Sequence, residues 1–229
     1  MANKRPRKSA EEAGNGTRLG DLAYSRILEA LFSRKLEAGT FVSQADLVEL
    51  TQMTVAPVRD ALRVLEAEGI VVIHPRTGIQ LVKPGMELTR ATYQFRGIVE
   101  TAAIATFAQT ATDQEMSRMA DRHRAVVSKI EKGGLTKPVL VELEHLEDLL
   151  HGSIVSSLEN PLIDANYRRV RNYVRLIGLD RRLTPTLALK SMGEHLTIIE
   201  ACRSRDIEAS VNALKAHFSA ALQRSIRLY

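Results

Sequence analysis

Three histidines and two neighbouring carboxylates carry the chain's clearest opportunity for chemistry. In "LEHLEDLLHGSIV", His151 follows Glu147 by four residues and Asp148 by three. On an α-helix those offsets leave about 40° or 60° of rotation, so either carboxylate can share a face with His151. His145 sits about 240° round the same helix from His151 and is expected in solvent. Further on, "GEHLTIIEACRSRDIEASVNALKAHF" reads as two helices meeting near "SRD", with Asp206 capping the second. His195 and His217 lie at nearly equal distances either side of that break. In an antiparallel pair, equal distances from the turn mean equal heights, so the two imidazoles can face each other. Each histidine taken singly also reads as a hydrogen-bonded core residue; their shared height is what argues for a site. Three imidazoles and a carboxylate suit zinc, nickel, manganese or iron rather than calcium.

A second stretch, "TVAPVRDALRVLEAEGI" over 54–70, points to a different kind of recognition. Proline in a helix interior costs roughly 3 kcal/mol but little in the first turn, where N–H groups lack intrahelical partners. Thr54 is therefore the predicted N-cap and Pro57 a first-turn residue. Val58, Leu62, Leu65 and Ile70 form one apolar stripe, with Arg59 and Arg63 off it. Before this helix come an amphipathic helix over 21–35, ended near Gly39, and a short helix, "SQADLVELT", capped by Ser43 with Asp46 as its capping-box partner. A turn at Gln52–Met53 joins the short helix to the next, and Gly69 stops it. "VVIHP" and "IQLV", joined by "RTG", read as a hairpin. Helix, helix–turn–helix and hairpin is the order of a winged helix. The 54–70 helix would then enter the DNA major groove with its N-terminal residues at the base edges. Arg59 is suited to guanine or phosphate. His74, Arg76 and Thr77 at the hairpin tip would lie near the backbone or minor groove. By pattern alone, a three-helix core that never touches nucleic acid fits equally well.

The rest of the chain sets the frame. Its 229 residues suit one large domain or two ordinary ones, and 45% hydrophobic with 26% charged residues is a globular composition. Residues 1–19 read as a basic flexible tail whose Lys4, Arg5, Arg7 and Lys8 offer sequence-independent phosphate contacts. Residues 20–84 form the winged helix-turn-helix, "KPG" at 83–85 a linker, and 85–229 an all-helical domain broken at "KGGLTKP", "ENP" and "SRD". The fold class is mainly α: a winged helix-turn-helix with a small β-hairpin wing, then a helical bundle. A net charge of +5, from 32 basic against 27 acidic residues, leans mildly toward anionic partners. Cys202 is the single cysteine, which excludes an intrachain disulfide, fits a reducing compartment and reads as a small core residue. No apolar run approaches the roughly 18 residues of a membrane span, and the N-terminus lacks a signal peptide's apolar segment. A cytoplasmic protein with no membrane partner is expected.

"ADLVELTQMTVAPVRDALRVLEAEGIVVIHPRTGIQLV" closely resembles the winged-helix domain of the GntR family of bacterial transcription regulators. The shared pattern is Pro57 to Leu62, the Leu-Glu-x-Glu-Gly run from Leu65 to Gly69, and Gly78 in the wing. The resemblance covers about residues 21–83. It implies DNA contacts from Thr54, Val55, Ala56, Arg59, Arg63, Arg76 and Gly78. The family usually carries Ser-Arg-Thr before the proline; here Thr54, Val55 and Ala56 stand there, so a valine replaces an arginine commonly used on bases. Apolar contact from Val55 to a thymine methyl is the corresponding expectation. Residues from about 88 to 229 resemble the FCD effector domain of the FadR subfamily, through "RGIVE", "HGSIVSSLENPL", "EHLTIIEAC" and "AHF". That resemblance implies a divalent metal on His151, His195 and His217 plus an acidic residue four positions before the first, and a small organic acid received by the metal and nearby arginines. The family's aspartate position holds Glu147, with Asp148 one residue later, so either is a candidate fourth ligand. Arg96 is the candidate effector contact; its simpler reading is a helix-surface ion pair with Glu100 at i,i+4.

Together these features describe a homodimeric, ligand-responsive, DNA-binding transcription regulator, a repressor of a catabolic operon rather than an enzyme. Its partners would be a double-stranded DNA operator and a small carboxylate effector. A divalent ion, three neutral imidazoles, one carboxylate and Arg96 leave a net charge of about +2, and buried charge of that kind calls for an anion. Two alternatives use the same residues: a metal-dependent enzyme with an open coordination position that activates water, and a regulator that senses the metal directly.

Overall fold

The computed structural model describes residues 10–179 and 183–226, with side-chain surroundings from residue 19 onward. Two compact units part between Lys83 and Pro84. The first contains α1 (Ala10–Phe32), β1 (Phe41–Val42), α2 (Gln44–Thr51), α3 (Val55–Ala67), β2 (Val71–His74) and β3 (Gly78–Leu81). The stretch read as a flexible tail is already helical from Ala10. Ala and Glu are good helix formers, and extending a helix costs far less than starting one. The basic residues Lys4, Arg5, Arg7 and Lys8 lie outside the described residues.

Helices α1 and α3 pack through Ala23, Ile27, Leu31, Val58, Leu62 and Leu65, all buried. Each fully buried Leu or Ile is worth about 1.5–3 kcal/mol over leaving it in water. Helix α2 opens with the predicted capping box: Ser43 Oγ accepts from Asp46 N–H and Asp46 accepts from Ser43 N–H. Gln52, in the left-handed region at φ 53°, turns the chain toward α3. Thr54 holds the N-cap position with extended backbone, but its side chain makes no cap hydrogen bond; Pro57 falls in the first turn as expected. Gly69, at φ +71°, ends the helix.

The wing has three strands rather than the expected two. β1 pairs antiparallel with β3, and β3 with β2, giving the order β1-β3-β2. Two residues, Phe41 and Val42, are too few to show an alternating pattern, so β1 is invisible to a sequence reading. Gly78 sits at φ +124°, and a Cβ there would lie 3.0 Å from the carbonyl oxygen of Val42. Both the backbone angle and the closeness of β1 therefore require glycine.

The second unit contains α4 (Met86–Thr110), α5 (Asp113–Gly133), α6 (Lys137–Ser156), α7 (Pro161–Leu179), α8 (Pro185–Arg203) and α9 (Ile207–Ile226). The expected breaks are present. Two more separate α4 from α5 and α7 from α8. The first is set by a capping box between Thr112 and Glu115. Arg205, between α8 and α9, donates to the carbonyls of Ala108 and Ala111 and to Asp113, tying this turn to the α4–α5 turn. The core joins Ile104, Phe107, Met116, Leu150, Ile154, Ile198, Cys202, Leu214 and Phe218. None of the described helices is long and apolar enough to cross a membrane. Replacing Gly78 with Ala should destabilise the first unit by about 1–3 kcal/mol, the usual cost of a side chain held in such a backbone conformation, read by chemical denaturation. Unchanged stability would show that β1 moves away at no cost.

Candidate metal centre and nucleic-acid interface

Helices α6, α8 and α9 bring Glu147, His151, His195 and His217 to one buried point. One donor atom from each lies within 4.8 Å of every other. Each histidine belongs to a helical stripe that faces the core: His151 follows Leu143, Leu146 and Leu150; His195 follows Ala188 and Met192; His217 follows Ser210 and Leu214. The equal heights of His195 and His217 hold, with ring centroids 4.8 Å apart. His151 lies 5.2 Å from both rings.

The hydrogen bonds fix which nitrogen of each ring carries its proton. His151 Nδ1 lies 2.5 Å from Glu100 Oε2, and His217 Nδ1 lies 2.8 Å from Glu194 Oε2. An ionised carboxylate only accepts, so both Nδ1 atoms are the donors. His195 Nδ1 meets His123 Nε2 at 3.2 Å, while His123 Nδ1 meets the Met119 carbonyl at 2.8 Å. A carbonyl also only accepts. His123 therefore carries its proton on Nδ1, leaving its Nε2 to accept from His195 Nδ1–H. All three Nε2 atoms are consequently bare lone pairs. They are buried, and none has a hydrogen-bond partner among the described residues. Leaving a buried acceptor unmade costs roughly 1–3 kcal/mol, and here three converge beside a carboxylate. Burial depresses the pKa of all three rings and of His123, the last to about 4, so the neutral forms are favoured. Neutral imidazole with Nδ1–H held by a second group is the usual state of a metal-ligating histidine. The donor set fits a divalent transition ion.

Carboxylates and arginines complete the surroundings. Arg96 donates from Nε to Glu100 Oε1 at 2.7 Å and from Nη1 to Glu147 Oε1 at 3.0 Å. The expected surface ion pair is thus a buried one, with Arg96 2% exposed and Glu100 fully enclosed. Tyr167 donates to Glu100 Oε1 at 2.5 Å. Burial alone would raise Glu100, but Arg96 and His151 outweigh it and hold it near 2. Glu147 lies well below its ordinary value for the same kind of reason. Its Oε2 stands 3.3 Å from His195 Nε2 and its Oε1 3.5 Å from His151 Nε2. Asp148 is not part of this group; it pairs with Arg171 at 2.6 Å on the neighbouring face. Of the two candidate carboxylates, the structure brings only Glu147 to the histidines. His145 is exposed, as expected.

The model of the FCD domain matches residues 91–220, and that of the bacterial regulatory proteins of the gntR family matches residues 19–81. The chain belongs to the GntR family, in its FCD-domain branch. It is a ligand-responsive, DNA-binding transcription regulator. It is 21% identical over 202 residues to the HTH-type transcriptional regulator YdhC of Bacillus subtilis strain 168, covering 86% of each chain. Its fold is that of McbR/YncC from E. coli (TM-score 0.71, 17% identity, 93% of this chain and 97% of that one). It is also that of a GntR regulator from Rhodococcus sp. RHA1 (TM-score 0.74, 18% identity, 94% and 99%).

In the GntR-type unit, Thr54, Val55, Ala56 and Arg59 are exposed at the first turns of α3, and Val55 keeps 43% of its surface. Arg59 has no ion pair among the described residues, whereas exposed Arg63 stands 3.5 Å from Asp60. Arg76 is exposed at the hairpin tip in the left-handed region, φ 68°. Gly78 is accounted for by its approach to β1. In the FCD unit, sequence reading missed Glu194 and His123 altogether and saw Glu100 only as a salt-bridge partner. Glu194 immediately precedes His195 in sequence, but its carboxylate reaches His217 on the neighbouring helix, a pairing that sequence adjacency does not show. His123 stands between charged neighbours in "MADRHRAVV", and only the spacing of Met116, Met119, Val126 and Ile130 marks its face as buried.

The depressed histidines make the metal-free protein acid-labile. Below pH 6.5 the unfolded chain takes up protons that the folded chain refuses, so stability falls with pH. For His123 the window runs from 6.5 down to about 4, a loss approaching roughly 3 kcal/mol at the acid end. Denaturation of chelator-treated protein should show constant stability above pH 7 and a decline below 6.5. A flat profile down to pH 5 would contradict the buried neutral rings.

Proposed function

We propose that this regulator is a homodimeric repressor of a catabolic operon that senses a small carboxylate through a divalent metal held by Glu147, His151, His195 and His217. The observation that carries the reading is the set of three buried Nε2 lone pairs, without a hydrogen-bond partner among the described residues, that converge beside the Glu147 carboxylate. Zinc, nickel, manganese and iron all accept that ligand set. A four-ligand site on such an ion keeps coordination positions for an acid's oxygen when the ion is six-coordinate. Glu100 is buried beside Arg96, so the loaded site carries about +1, one less than a count without Glu100. A single carboxylate neutralises it. Arg96 is already held by Glu100 and Glu147, so its proposed contact with the effector requires Glu147 to release it, as metal coordination would favour.

A homodimer suits two operator half-sites, and the binding equilibrium is useful only if the effector prefers one arrangement of the protein over another. Exposed Val55 and Ala56 at the start of α3 support a thymine-methyl contact, and Arg59, with no ion pair among the described residues, a guanine or phosphate contact. A cytoplasmic location follows from such a partner. Direct metal sensing uses the same residues with no acid.

Purified protein should hold about one divalent ion per chain by elemental analysis, and His195→Ala with His217→Ala should abolish it. Thermal-shift screening of small hydroxy and sugar acids should then find stabilisers whose effect chelator removes. Stabilisation by metal alone, with DNA affinity responding to metal alone, would favour direct sensing instead. Acid binding that survives chelation would refute the metal–carboxylate reading. For DNA, Arg59→Ala should weaken specific binding to the promoter of its own operon by about 1–3 kcal/mol in gel shifts. Unchanged affinity in a folded variant would remove α3 from base or phosphate recognition.

A further inference from the structure

The three metal-facing histidines are not supported alike. His151 and His217 each present Nδ1–H to a carboxylate, from Glu100 and Glu194. Glu194 is itself clamped by Arg224 at 2.7 and 2.8 Å. His195 has no such anion. Its Nδ1 faces another imidazole, His123, at 3.2 Å, with the rings 5.3 Å apart and near edge-on. Both residues are fully buried, so no water competes for that nitrogen from bulk. Left to itself, a neutral imidazole divides its proton between two nitrogens, and the form with the proton on Nε2 cannot ligate through that atom.

We infer that His123 is a positioning residue for the metal centre: its Nε2 lone pair holds His195 in the Nδ1–H form and so keeps the His195 Nε2 lone pair aimed at the ion. The inference rests on the metal reading above. The direction of the relay is set one step further out, by the main chain. Met119 offers a carbonyl, which takes the His123 proton on Nδ1 at 2.8 Å and leaves Nε2 free to accept. The chain from carbonyl to His123 to His195 therefore has one consistent assignment. It explains why a histidine stands in a stripe otherwise made of Met116, Met119, Val126 and Ile130. An apolar residue would fill that stripe as well but would leave the His195 Nδ1–H without an acceptor.

The test uses full-length protein, zinc(II) as the probe and a chromogenic chelator in competition. His123→Leu should bind zinc roughly 10–100-fold more weakly than wild type, the usual effect of losing an outer-shell partner. His123→Gln places an amide oxygen near the former Nε2 and should recover most of that loss. Long-range 1H–15N correlation on the metal-free proteins reads the tautomer directly. Wild type and His123→Gln should show His195 protonated on Nδ1, and His123→Leu should show a population protonated on Nε2. A packing role would leave that population unchanged. Wild-type His195 protonated on Nε2, or zinc affinity within twofold of wild type in folded His123→Leu, would overturn the assignment. Should His123→Leu fail to fold, the wild-type tautomer and the His123→Gln affinity decide it. Should wild type bind no zinc, the metal reading falls, while the tautomer measurement still confirms or refutes the His123 relay.

Discussion

The helical unit is organised round one buried carboxylate. Glu100 on α4 is fully enclosed, yet Arg96, Tyr167 and His151 hold it ionised from α4, α7 and α6. An isolated carboxylate at that depth would be too costly to keep charged. With three donors it becomes a fixed anion that dictates where its neighbours point. Removing one member of such a group typically costs 3–5 kcal/mol, because the remaining charge is left uncompensated. The Nδ1 proton of His151 is thereby settled, and its Nε2 turned inward. Arg96, held through Nε, has Nη1 left to reach Glu147. One buried residue thus orients, directly or through Arg96, two of the four groups of the candidate metal centre without being one of them.

Aromatic rings close the same space. Phe218 stacks on His151 at 5.7 Å and lies tilted 5.6 Å from His217, and the Arg96 guanidinium lies 4.9 Å over its ring. These contacts exclude water from one side of the histidines and raise the strength of every remaining polar interaction. Glu147 is the member of the cluster with appreciable exposure, 29% of its side chain. Solvent therefore reaches the cluster beside Glu147, whose carboxylate also accepts from Arg96.

The winged-helix order was legible because its signals are local: a capping box at Ser43, a proline confined to the first turn of α3, and a glycine stop. The equal heights of His195 and His217 were legible for the same reason, since a helical hairpin is a ruler with its zero at the turn. What failed to show was whatever depends on non-local pairing. β1 exists because β3 offers it an edge, not because Phe41 and Val42 announce a strand. Asp148 and Glu147 are equivalent by spacing, and Arg171 on α7 is what draws Asp148 away. The burial of Arg96 was hidden because an Arg–Glu pair at i,i+4 looks the same at a surface as in a core. The break before α5 had a readable capping box at Thr112 and Glu115, which the surrounding helical periodicity masked.

Arg96 also links the proposed chemistry to the arrangement of the chain. It lies on α4, the first helix after the division at Pro84, and shares its charge between Glu100 on the same helix and Glu147 on α6. On the proposed reading, a metal ion competes with Arg96 for the Glu147 carboxylate, and an acid competes with Glu147 for Arg96. Each exchange alters how firmly α4 is held against α6. The far end of α4 is pinned separately, since Arg205 fastens its last carbonyls to the α8–α9 turn. On that reading α4 is the helix whose hold on the bundle responds to the ligand, and the chain runs from its N-terminal end back into the linker at 83–85.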